Sequence, residues 1–170
     1  MNKYFIAIIP PESIKTDILR FKEYFRDQYK SKGALNSPPH ITLHMPFEFD
    51  DEERLVKTLK KFEFESFEIE LQDFGCFEPR VIFVDMKENG SLHEIQSRLT
   101  SFCKRELQLF NADHSDRAFH PHITIGFRDL KKPQFYTAWK EFENKSYSAT
   151  FETDRISLLK HDGKIWREFS

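Results

Sequence analysis

Apolar residues recur along this chain in two rhythms. Tyr4 to Ile9 (YFIAII) is an unbroken apolar run ended by Pro10 and Pro11, which predicts a buried strand. Ile14, Ile18, Phe21, Tyr24 and Phe25 then return every three or four residues, which predicts a helix to about Tyr29. A basic, Gly- and Ser-containing loop from Lys30 to Pro38 leads to a second strand that Pro46 closes. Leu55, Leu59 and Phe62 form the stripe of a second helix, and Asp50 to Glu53 supply the negative charge that a helix start favours. Phe67, Ile69 and Leu71 alternate with Glu68, Glu70 and Gln72, the period of a strand. Arg80 to Met86 (RVIFVDM) repeats the character of the opening strand. After a turn at Asn89-Gly90, with Ser91 as the expected cap, Leu92, Ile95, Leu99, Phe102 and Cys103 make another helical stripe. A polar loop is expected at 111–117, a strand from Phe119 to Phe127, and a short helix from Pro133 to Phe142. Strands follow at Tyr147 to Phe151, Arg155 to Lys160 and Lys164 to Phe169, with a hairpin turn at His161-Asp162-Gly163.

One phrase stands in both rounds of this pattern: Pro39-His40-Ile41-Thr42-Leu43 and Pro121-His122-Ile123-Thr124-Ile125, separated by close to half of the 170 residues. The order of strand, helix, His-bearing strand, helix and strand also occurs twice. The chain is therefore expected to be one α+β domain over 1–170, built from halves at approximately 1–78 and 79–170. The expected architecture is two pseudo-symmetric ferredoxin-like lobes whose antiparallel sheets face each other across a central cleft.

Composition narrows the partners. Hydrophobic residues make up 39% and 19 are Phe, which suits a packed core. The formal charge is −2, so a polyanion would be held only by a local patch, and a small or short ligand is expected. Cys76 and Cys103 form no CxxC pair and are expected to be reduced thiols. The first apolar run is too short for a membrane span. A cytoplasmic, monomeric protein without membrane association is the expectation.

On a strand, the His and Thr of each phrase point to one face. Two imidazoles near neutral pH can serve as acid and base, and two hydroxyls can donate to an anion. His40 and His122 are thus candidate catalytic residues, and Thr42 and Thr124 candidate phosphate ligands. By the same alternation His44 joins His40 and Thr42, and His120 joins His122 and Thr124. These two histidines are candidate substrate contacts, or, as an alternative, part of a four-histidine metal site. Arg80 is a candidate contact at the cleft mouth, and Phe47 and Phe127 are candidate base platforms. Arg26, Lys30, Lys32, Arg117, Arg128, Lys131 and Lys132 are where an RNA backbone would be held.

The doubled His-x-Thr-hydrophobic pattern, His40-Ile41-Thr42-Leu43 and His122-Ile123-Thr124-Ile125, resembles the two-histidine (2H) phosphoesterase superfamily. That superfamily includes the bacterial 2′-5′ RNA ligase group and cyclic nucleotide phosphodiesterases. Asp73 to Phe83, the closing stretch Phe151 to Glu168 and the opening Tyr4-Phe5-Ile6-Ala7 are similar to the family as well. Phe83 stands where ligase-like members often have Trp, and Trp166 where Tyr is common. The resemblance implies a metal-independent phosphodiesterase with no cofactor, acting on 2′,3′-cyclic phosphates or 2′-5′-linked RNA or nucleotides, and able to run backwards as a ligase. A non-catalytic RNA- or nucleotide-binding module and a histidine-rich metal-binding protein stand as the alternatives.

Overall fold

In the computed structural model, residues 1–110 and 118–170 are described. The polar loop expected at 111–117 lies outside them. Among the described residues, eight strands and four α-helices are formed: β1 (Asn2–Ile8), α1 (Glu12–Tyr29), β2 (Ile41–Phe49), α2 (Glu52–Leu59), β3 (Phe67–Phe77), β4 (Val81–Met86), α3 (Gly90–Leu107), β5 (Ile123–Gly126), α4 (Lys132–Phe142), β6 (Ser148–Thr153), β7 (Ser157–His161) and β8 (Trp166–Glu168). A short 3-10 helix, Gly33–Asn36, precedes β2.

Local side-chain contacts set two of the helix starts and the last turn. Asp51 caps α2, its carboxylate accepting from the Arg54 amide at 3.0 Å. At α3 the cap is Asn89 and not Ser91: the Asn89 amide oxygen accepts from the Leu92 N–H at 3.1 Å, so the helix begins at Gly90. The closing hairpin turns where expected, with Gly163 at φ 99° and the Asp162 carboxylate accepting from the Lys164 and Ile165 amides.

The strands form two four-stranded antiparallel sheets, in the orders β2-β1-β7-β8 and β5-β4-β3-β6. The α+β class and two-lobed plan follow. The sheets do not divide the chain between 78 and 79, however. β3 belongs to the second sheet, and β7 and β8 return to the first. The helices cross over as well. α1 and α4 lie behind the second sheet, while α2 and α3 lie behind the first. On the first sheet, Glu52 of α2 accepts from the Tyr4 hydroxyl at 2.5 Å and pairs with the Lys160 ammonium.

The main core joins both sheets and their helices: Ile6, Ile8, Ile18, Phe25, Ile41, Ile82, Val84, Leu99, Ile123 and Phe142 are among its buried residues. On the other face of the first sheet Phe5, Ala7 and Leu159 pack with Ile9 and Trp166. This second face, and its counterpart on the second sheet, carry the two His-Thr phrases.

Candidate active site

Each histidine stands one residue before its strand, His40 ahead of β2 and His122 ahead of β5. Both are held by the same bond. His40 Nδ1 donates to the Pro38 carbonyl at 2.7 Å, and His122 Nδ1 donates to the His120 carbonyl at 2.8 Å. A carbonyl only accepts, so Nδ1 carries the proton and Nε2 is left for a further partner. The rings rest on aromatic neighbours. Phe5 lies 4.8 Å from His40, while Phe77 and Phe83 each lie 5.0 Å from His122. The Phe83 ring can reach across its neighbouring strand because Gly75 is opposite; a Cβ there would come within 2.5 Å of that ring.

Thr42 and Thr124 are half-buried, two positions along each strand. Thr42 pairs with Ala7 and Thr124 with Phe83, on the central strands β1 and β4. A loop contact secures both phrases: the Asp129 carboxylate, beyond β5, accepts from Ser31 Oγ and from the Lys32 and Gly33 amides, ahead of His40.

The electrostatics of the two rings differ. Both keep some solvent contact yet are closely packed, and desolvation lowers both pKa values. His40 is pushed down to about 4, first by desolvation and further by the charges of Lys22 and His122, against the raising effect of the Pro38 carbonyl. His122 is lowered by desolvation and by His120, while the His120 carbonyl and the Asp85 carboxylate oppose the shift.

His44 does not line the site. It is 1% exposed, bonded to the Met45 carbonyl and packed 5.2 Å from Phe47. A register shift is the cause. Thr42 pairs with Ala7 but His44 pairs with Ile6, so Leu43 is an extra residue and His44 turns to the core. The four-histidine ligand set is therefore not assembled. Phe47, 6% exposed, is a core residue and no base platform. His120 does lie beside His122, with ring centroids 6.4 Å apart and its Nε2 3.6 Å from Asp85 Oδ1. Arg80 is exposed in the β3–β4 turn, next to Phe77. Phe127 sits in the loop held by Ser31, under the Arg128 guanidinium. Lys30, Lys32, Arg128, Lys131 and Lys132 are exposed, Arg26 pairs with Asp27, and Arg117 lies outside the described residues.

Three features of the site were not read from the sequence. Lys22 of α1, 2% exposed, acts on His40. Asp85 of β4 acts on His122. Trp166 of β8 packs on Phe5 and His161, 4.8 and 4.9 Å away. A groove of about 600 Å³ lined by Val56, Leu59, Phe62 and Ile156 shares no residue with the histidines.

Residues 10–165 match the 2′-5′ RNA ligase superfamily. A Geobacillus sp. (strain WCH70) protein named a "putative phosphoesterase" is 34% identical over 92% of this chain and 87% of its own length. A Geobacillus kaustophilus protein of the same name is 32% identical over the same shares. Among solved structures, E. coli LigT in complex with 3′-AMP aligns over 99% of this chain and 95% of its own, with TM-score 0.68 and 19% identity. TT0787 of Thermus thermophilus aligns over 100% and 96%, with TM-score 0.66 and 19% identity.

Proposed function

The chain belongs to the 2′-5′ RNA ligase superfamily, and on that premise we propose that it is a metal-independent phosphodiesterase. Its proposed substrates are 2′,3′-cyclic phosphates or 2′-5′-linked nucleotides or short RNA. The observation that carries this reading is the matched anchoring of His40 and His122. Each ring gives its Nδ1 proton to the carbonyl two residues before it, and each keeps Nε2 for a ligand.

Cleaving such an ester needs a base for the attacking oxygen, an acid for the leaving one, and donors for the charge that grows on phosphorus oxygens. Two Nε2 atoms supply the first two, and the Thr42 and Thr124 hydroxyls supply the third. Run backwards, the same groups join a cyclic phosphate to a hydroxyl. A nucleotide suits the aromatic surroundings provided by Phe5, Phe77 and Trp166.

The test is turnover of a panel of 2′,3′-cyclic nucleotides and 2′-5′ oligonucleotides in the presence of chelator. Cleavage is expected, with His40→Ala and His122→Ala each lower by about 10²–10⁴-fold. Thr42→Val and Thr124→Val should lower it by about 10–10³-fold, as the loss of one transition-state donor. Full activity in both histidine variants, or turnover that chelator abolishes and zinc restores, would overturn the reading.

A further inference from the structure

Lys22 stands on the buried stripe of α1 with Ile14, Ile18 and Phe25. Its ammonium donates to the Ser37 carbonyl at 2.9 Å. The next carbonyl in the chain, that of Pro38, is the one that anchors His40. Lys22 therefore grips the peptide immediately before the one on which His40 hangs. At the other histidine two charged neighbours oppose each other: His120 disfavours a second proton on His122, and Asp85, the smaller influence, favours one. Asp85 follows Phe83 and Val84 on β4, and its Oδ1 lies 3.6 Å from Nε2 of His120, whose carbonyl anchors His122. Among the described residues, the charges that act on His40 are Lys22 from α1 and His122 from across the site. Those that act on His122 are His120 from its own loop and Asp85 from β4.

We infer that Lys22 and Asp85 are positioning residues of opposite charge that divide the labour of the pair, making His40 the base and His122 the acid in hydrolysis. A cation beside His40 disfavours a second proton there, and a carboxylate near His122 favours one. This rests on the phosphodiesterase reading and deepens it. In the step, His40 Nε2 takes a proton from water as the water oxygen bonds to phosphorus. The bond from phosphorus to the ribose oxygen breaks, and His122 gives its Nε2 proton to that oxygen. His40 ends protonated and His122 neutral, and exchange with solvent resets both. The ammonium of Lys22 is present where it matters: burial lowers its pKa to about 7, so it is charged across the acid range in which His40 titrates.

The direct test is NMR titration of the imidazoles in the ligand-free protein, which needs no turnover. In the wild type His40 should titrate below His122; the reverse order overturns the assignment. Lys22→Met should raise the His40 value and leave His122 the higher, whereas Lys22→Arg, which keeps the charge, should hold it. Asp85→Asn, at a half-exposed side chain, should lower the His122 value. The rising limb of the kcat/KM profile should move up in pH in Lys22→Met, and the falling limb down in Asp85→Asn. A merely structural role would depress the rate without moving the two limbs in opposite directions. Unmoved titrations in both variants would refute the inference. If Lys22→Met does not fold, the wild-type order and Asp85→Asn still decide. Absence of turnover on every substrate with the titrations as expected would instead count against the phosphodiesterase reading.

Discussion

A buried ammonium is stable only while its lost hydration is offset, and at Lys22 the bond to the Ser37 carbonyl offsets part of it. The remainder shows as proton linkage. An unfolded lysine holds its proton up to about pH 10.5, whereas folded Lys22 releases it near 7. Between those values the unfolded chain binds more protons, so stability rises with pH from 7 towards 10.5. His40 acts in the same sense lower down. Its ordinary value is 6.5 and its folded value about 4, so stability falls as pH drops from 6.5 through 4. One pKa unit corresponds to about 1.4 kcal/mol. Denaturant titrations should therefore show the wild type gaining about 2 kcal/mol between pH 7 and pH 9, and Lys22→Met lacking that gain. Equal slopes in the two proteins would show that Lys22 is not desolvated. The sequence offered a signal for this residue, since it lies four after Ile18 and three before Phe25. A stripe sought only among apolar letters passes over a lysine. His40, Thr42, His122 and Thr124 stand out as candidates in the sequence because their chemistry and their repetition coincide.

Strand alternation works as a rule until a bulge interrupts it. In both copies one occurs directly after the threonine. Thr42 and His44 pair with the adjacent Ala7 and Ile6, and Thr124 and Gly126 pair with the adjacent Phe83 and Ile82. The extra residues, Leu43 and Ile125, are buried. The bulge leaves the threonine half-buried and sends the residue after next into the core. In one sheet that residue is His44; in the other it is Gly126, where a Cβ would come within 2.8 Å of the Phe25 ring of α1. The period of two in the sequence carries no mark of such an insertion, which is why His44 was expected in the site. Packing beneath the histidines is equally hidden. Phe83 lies 4.6 Å from Phe77 and 5.0 Å from His122, over the bare backbone of Gly75. Gly75→Ala must displace the Phe83 ring and with it the imidazole. Overpacking of this kind costs about 1–3 kcal/mol, and the displacement should lower turnover by on the order of 10–10²-fold. Gly90→Ala is the control, because nothing lies within 4 Å of a Cβ there. A Gly75→Ala protein as active and stable as the control would show that Phe83 does not position His122.

The pseudo-symmetry of the whole molecule matches strands that are distant in the chain. β1, β2, β7 and β8 of one sheet correspond in place to β4, β5, β3 and β6 of the other. Local patterning revealed the elements, since each depends on neighbours within a few residues. It did not reveal which sheet receives β3, β7 or β8, because an apolar strand fits a partner on either side. The helices follow the same crossed plan: α1 covers β5, from the second round of the pattern, and α3 covers β2, from the first. Gln96 of α3 donates to the Leu43 carbonyl, and Tyr24 of α1 donates to Glu141 of α4. Neither half of the chain contains a complete sheet with its covering helices. Residues 1–78 would keep β1 and β2 without β7, and β3 without β4 or β6. Residues 79–170 would keep β4 and β5 without β3, and β7 without β1. Each fragment would expose apolar faces that the other covers, so neither has a core able to offset chain entropy. Expressed separately, the two fragments should give the poorly dispersed amide spectra of unfolded chains. Mixed, they should recover native dispersion if association can replace the peptide link. The intact chain should unfold in one transition, with fluorescence and circular dichroism coincident. A fragment that folds alone, or two separate transitions in the intact chain, would show that the sheets are independent units despite their exchanged strands.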